Sequence, residues 1–117
     1  MSGKTADEIQ EFLQTYNLND GVEEAAVLLE EPDCEFGNAL FFYWLMDGPF
    51  YYTQRYEDHE YKTLLLMLED RLLSGFYKKG RIHYFPVIEE YLFKTQVYLL
   101  KKKGIPKELI EPDYNQK

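Results

Sequence analysis

Three side chains offer reactivity by their type: Cys34, His59 and His83. A thiol brought beside an imidazole makes a nucleophile and its base. His59 lies in Tyr56-Glu57-Asp58-His59-Glu60, which carries nitrogen and oxygen ligands of the kind a metal takes. The spacing speaks against both. Adjacent positions on a helix point in different directions, so the acids flanking His59 do not converge on one ion. Cys34 directly precedes the most apolar stretch of the chain, and cysteine is among the most buried residue types. It reads as a buried structural thiol, and His59 as part of a solvated helix start. No glycine-rich phosphate loop, no Gly-x-Ser-x-Gly elbow and no pair of histidines four apart occurs. The expectation is no catalytic, cofactor-binding or metal-ligating residue, no cofactor, and no enzyme.

Helices must position whatever else the chain does. Thr5-Ala6-Asp7-Glu8 has the capping-box pattern, and Ile9, Phe12, Leu13 and Tyr16 behind it fall on one helical stripe. Asn17-Leu18-Asn19-Asp20-Gly21 breaks that helix. Asp20 is the expected N-cap of a second helix, with Glu23 in the box position and Val22, Ala25, Ala26 and Leu29 inside. Pro32 stops it, and Asp33 or Glu35 favours the start of a third helix over Phe36 to Met46. That stretch is apolar on every face, the mark of a central helix.

Phe50 to Tyr56 has weak periodicity. A fourth helix is predicted from about Glu57 to Ser74, with Tyr61, Leu64, Leu65, Leu68, Leu72 and Met67 inside and Gly75 at its C-terminus. Lys79-Gly80 has turn chemistry, and Ile82 and Tyr84 alternate with Arg81 and His83, as in a small hairpin. Pro86 opens a fifth helix carrying Ile88, Tyr91, Leu92, Thr95, Tyr98 and Leu99. Lys101 to Lys103 suit the negative end of its dipole, and Ile105 to Ile110 adds a short turn. The fold class is therefore all-α: about five helices in an antiparallel bundle or stacked helical hairpins, with room for one small β-hairpin near residues 76–85. At 117 residues this is a single helical domain over 1–110, followed by a polar, frayed tail over 111–117.

Charge is distributed unevenly. Residues 1–60 hold 14 acids against Lys4 and Arg55, whereas residues 61–117 hold 11 bases against 7 acids. The net charge of −8 has the opposite sign to a typical nucleic-acid-binding surface, so no nucleic-acid partner is expected. The acidic half would steer a basic protein partner through its field, or it simply keeps the wet faces soluble. Glu23, Glu24, Glu30 and Glu31, with the aromatic Tyr51, Tyr52 and Tyr56, are the candidate partner-binding residues. Lys78, Lys79, Arg81 and Lys101 to Lys103 near Tyr77 and Tyr84 read mainly as dipole capping and a charged hairpin tip, though single-strand binders use such mixtures. The longest uncharged apolar-rich run, Phe36 to Met46, is eleven residues, against the ~20 needed to span a bilayer. With one cysteine and no signal-peptide pattern, a cytoplasmic protein without a membrane partner is expected.

Three segments resemble the bacterial domain-of-unknown-function family 4274. They are Tyr16-Asn17-Leu18-Asn19-Asp20-Gly21, Pro32 to Leu40 running on to Trp44, and Gly75 to Ile82, a resemblance over roughly positions 10 to 86. Leu18 and Asn19 stand where the family pattern has Trp and Asp, and Glu35 and Asn38 where it has Asp and Thr, while Cys34, Gly37, Ala39 and Leu40 match. The resemblance implies a small helical domain with no assigned activity. Its motif residues carry structure: Asn17, Asp20 and Gly21 form a turn, and Cys34, Gly37 and Ala39 let helices approach closely. The expected function is a non-enzymatic protein-binding domain, in one concrete form an immunity-type protein masking a basic toxin; the alternatives are a structural or regulatory adaptor and, third, an enzyme or metal protein using Cys34, His59 or His83.

Overall fold

A computed structural model of the chain describes residues 5–17, 21–46, 62–86, 94–112 and 114. The first helix, α1 (Ala6–Gln14), starts on the predicted capping box. Thr5 Oγ1 accepts from the Glu8 amide at 3.2 Å, and Glu8 accepts from the Thr5 amide at 2.9 Å. Ala6, Ile9 and Leu13 are buried, with Phe12 and Tyr16 packed at the core's edge.

The second helix, α2 (Glu23–Leu28), begins later than the capping pattern predicts, with Val22 at the N-cap and no side-chain cap. Gly21 explains the delay: at φ +89° its backbone is left-handed and cannot join the helix. Asp20 lies outside the described residues. Ala25, Leu28 and Leu29 are buried, while Val22 and Ala26 are half-buried.

The third helix, α3 (Phe36–Leu45), is the central one, as its all-round apolarity predicts. Glu35 is its N-cap, and the Asn38 side chain accepts the Glu35 amide at 2.9 Å. Every residue from Phe36 to Met46 is buried except Phe41 and Leu45, which are half-buried. Both α1 and the fourth helix pack on it.

That fourth helix, α4, is described over Lys62–Ser74, and the predicted stretch from Glu57 through Tyr61 lies outside the described residues. Leu65, Leu68 and Leu72 face α3's side of the core, and Leu64 and Met67 flank them. Gly75, at φ +84°, ends the helix in the conformation that favours glycine.

The predicted hairpin does not form: residues 76–86 contain no strand. Side chains still alternate, with Ile82 and Tyr84 half-buried and Arg81, His83 and Phe85 exposed. The backbone, however, pairs with other elements instead of with itself. Lys78 O accepts from the Phe36 amide, Ile82 N–H donates to Glu35, and Tyr84 N–H donates to the Tyr114 hydroxyl.

The fifth helix, α5, is described over Lys94–Lys102; Pro86, its predicted first turn, is buried and not in a helix, while Ile88, Tyr91 and Leu92, and the side chain of Thr95, fall outside what is described. Its buried side also departs from expectation. Tyr98 and Leu99 are 60% and 39% exposed, and Leu100 is the buried position. One residue is about 100° of helix rotation, so among the described side chains of α5 the covered position lies one step further round. The predicted short turn follows as a 3₁₀ helix, Lys107–Leu109, with Ile105, Leu109 and Ile110 buried. Tyr114 corrects the reading of a frayed tail: it is buried in the core, and its hydroxyl both accepts from the Tyr84 amide and donates to the Tyr84 carbonyl.

Candidate functional site

Cys34 is 3% exposed in the turn before α3. Burial, and then the nearby Glu35 charge, pushes its thiol up to about 12. A thiol held neutral is no nucleophile. Its sulfur lies 3.9 Å from the Glu35 carbonyl, whereas exposed His83 puts Nε2 2.7 Å from the Gly80 carbonyl and stacks its ring on Tyr114 at 4.7 Å. These two groups have different partners. Among the described residues no group of three or more His, Cys, Asp and Glu could hold a metal ion, and His59 lies outside them.

Of the motif residues, Asp20 lies outside the described residues, and the others are placed as follows. The Tyr16 hydroxyl donates to the Gly21 carbonyl, and Asn17 is exposed. Ala39 is fully buried on α3. Gly37 faces the backbone of Ile82, and a methyl group there would collide with the Ile82 carbonyl. Glu35 is 4% exposed, and its carboxylate accepts the Ile82 amide at 2.8 Å. Burying a carboxylate is unfavourable unless hydrogen bonds replace water, and here a passing stretch of backbone supplies one.

Asn38 has a role that the residue pattern did not disclose. It is fully buried, and its amide nitrogen donates to the Ala6 carbonyl at 3.2 Å and to Gln10 at 3.0 Å. With its oxygen on the Glu35 amide, one side chain ties α1 to the start of α3. The available signal was a lone amide in an otherwise apolar helix.

The family profile described as Domain of unknown function (DUF4274) matches residues 4–73, more than half of the chain. The chain belongs to this family. No curated protein matches it, and no solved structure does. Of the three resembling segments, the first two lie inside the matched span, and the third, Gly75 to Ile82, lies beyond it. The span of the DUF4274 match holds Asn17, Asp20, Gly21, Cys34, Gly37 and Ala39, whereas core residues Tyr77, Leu100, Leu109 and Tyr114 come after it.

Outside the core, α2 presents the acidic surface. Glu23 and Glu24 are exposed, Glu30 is exposed and Glu31 half-buried in the turn that follows. Val27, three or four positions from each of these acids, is 66% exposed. Arg71 binds Glu30, approaches the Tyr77 hydroxyl at 3.5 Å and lies over the Phe76 ring at 4.4 Å. Tyr51, Tyr52 and Tyr56 fall outside the described residues, so this surface is described without them. The basic residues do not form one free patch: Lys79 pairs with Glu108 at 2.7 Å and Arg81 with Asp7 at 3.0 Å, while Lys78 and Lys101 to Lys103 are exposed. No described helix is long and apolar enough to cross a membrane.

Proposed function

We propose that this DUF4274 member is a non-enzymatic protein-binding domain that offers α2 to a basic polypeptide. The observation that supports this reading most is Val27, an exposed branched apolar side chain set among Glu23, Glu24, Glu30 and Glu31. Interfaces commonly place an apolar anchor inside a polar rim. The acidic first half of the chain adds a long-range field that raises the encounter rate with a cationic surface. An immunity-type protein that masks a basic toxin is one concrete form of such a domain.

The test uses the full chain as bait in cells of its source. A triple variant, Glu23→Lys, Glu24→Lys and Val27→Asp, alters only exposed positions and is checked first for unchanged thermal unfolding. The expected result is a basic protein retained by the wild type and lost from the variant, with an association rate that falls as salt rises. Equal retention of that protein by both baits would rule out α2 as the binding surface.

A further inference from the structure

The C-terminal end of α5 presents an exposed face of mixed character. Tyr98 and Leu99 are both exposed, and Lys102 and Lys103 stand one turn beyond them, four positions on in each case. Lys102 Nζ lies 6.0 Å from the centre of the Tyr98 ring. The helix end beneath holds this face in shape. The Lys103 amide donates to the Leu99 carbonyl at 2.9 Å, and the amides of Gly104 and Ile105 close the cap on the Lys101 and Leu100 carbonyls, both at 3.1 Å. Two apolar side chains and two cations thus share one ordered surface.

The cations are unmatched. Arg71, Lys79 and Arg81 each pair with an acid of their own chain, whereas Lys102 and Lys103 make no ion pair among the described residues. The same arrangement stands on α2 with the sign reversed. Glu23 and Glu24 are exposed and make no ion pair among the described residues, and exposed Val27 lies one turn on from both. A nucleic acid or an anionic bilayer has charge of one sign throughout, and the rest of a chain of net charge −8 would repel it. A second copy of the chain carries cations as well as acids, and its α2 offers two carboxylates beside an apolar side chain. It therefore complements the α5 face in charge and in apolar contact.

We propose that the α5 face docks on α2 of a second copy, Lys102 and Lys103 against Glu23 and Glu24, and Tyr98 and Leu99 against Val27. This rests on the reading of α2 as a docking surface and names one cationic occupant for it. The contact joins two different patches, so it runs head to tail and leaves a free patch at each end. Few side chains take part, so it is weak and gives way to a tighter basic partner.

The test is sedimentation equilibrium of the full chain from about 50 μM to about 1 mM, at about 20 mM and about 500 mM salt. At low salt the mean mass is expected to rise above the 14.0 kDa monomer with concentration, and at high salt to return to it. Lys102→Gln with Lys103→Gln, and separately Glu23→Gln with Glu24→Gln, should each weaken association about fivefold with unchanged thermal unfolding, the scale of two exposed charge pairs. Mixed in equal amounts, the two variants keep one intact face apiece and should pair more tightly than either does with itself. A wild type that stays at monomer mass throughout would overturn the proposal, while the α2 reading would still be judged by its own bait experiment. Loss of association in the lysine variant but not in the glutamate variant would overturn the pairing with α2. A monomeric wild type that binds oligo-thymidylate or vesicles containing phosphatidylserine would give the face to a polyanion and overturn the second copy as its occupant.

Discussion

The Glu35 carboxylate accepts the amide of Ile82 at 2.8 Å across 47 positions of sequence. Next to it, the Phe36 amide donates to the Lys78 carbonyl at 2.9 Å. Two groups at the N-terminus of α3, where orphan amides need partners, are thus served by or serve a strandless stretch of chain. That stretch lies flat on the helix because Gly37 presents no side chain to it.

Gly37→Ala should destabilise the protein by about 1–3 kcal/mol, the cost of forcing an extra carbon into a packed contact. The added methyl meets the Ile82 carbonyl, a backbone group that cannot rotate away. Urea unfolding followed by far-ultraviolet circular dichroism measures it. An unchanged midpoint would show that the 78–82 stretch yields freely.

Asn38→Leu keeps the branched shape, with a somewhat larger volume, but removes three hydrogen bonds, to the Glu35 amide, the Ala6 carbonyl and Gln10. Leaving buried polar groups without partners should cost about 1–3 kcal/mol. The same denaturant titration reads this, and hydrogen exchange at the Glu35 amide should quicken with it.

Cys34 gives a pH signature. Its thiol rises from an ordinary 9.0 to about 12 on folding, chiefly through burial. The folded state therefore prefers the neutral form, and the unfolded chain loses the proton first. This contribution is complete below pH 9.0 and is lost as pH climbs from there toward about 12. The slope approaches ~1.4 kcal/mol per pH unit at most. Tyr77, pushed up to about 12 by burial, acts in the same direction over the upper part of the range. Cys34→Ala should flatten the fall in stability above pH 9, and the native thiol should resist an aromatic disulfide reagent at neutral pH. Rapid labelling of the folded protein would contradict its burial.

Trp44, the single tryptophan, reports on the C-terminal segment. Its indole N–H donates to the Leu109 carbonyl at 2.8 Å. Removing residues 105–117 should shift its fluorescence to the red and lower stability by several kcal/mol, since Leu109, Ile110 and Tyr114 all leave the core. An unshifted emission maximum would mean that the rest of the chain shields the indole unaided.

Helices whose apolar positions recur at three and four residues were legible from the chain: α1 with its Thr5 box, α3 with its apolar-rich run, and α4 ending at Gly75. The misreadings share a cause. Tyr98, Leu99 and Leu100 are all apolar, and only the neighbours in space decide which is covered. Tyr114 sits in a polar stretch with no period to announce it. The Ile82 and Tyr84 alternation correctly indicated which side chains turn inward, but not that a carboxylate and a phenol would take the place of a partner strand. For the candidate surfaces, the excess of acids was visible in composition, whereas the pairing of Lys79 with Glu108 and of Arg81 with Asp7 joins residues too distant in sequence to be read together.

The bond from Glu35 to Ile82 also sets an order of events during synthesis. A ribosome releases the start of α3 well before it has made Ile82, and Tyr114 emerges later still. The nascent carboxylate must keep its shell of water in the interim. The first turn of α3 therefore cannot finish docking before residue 82 has left the ribosome.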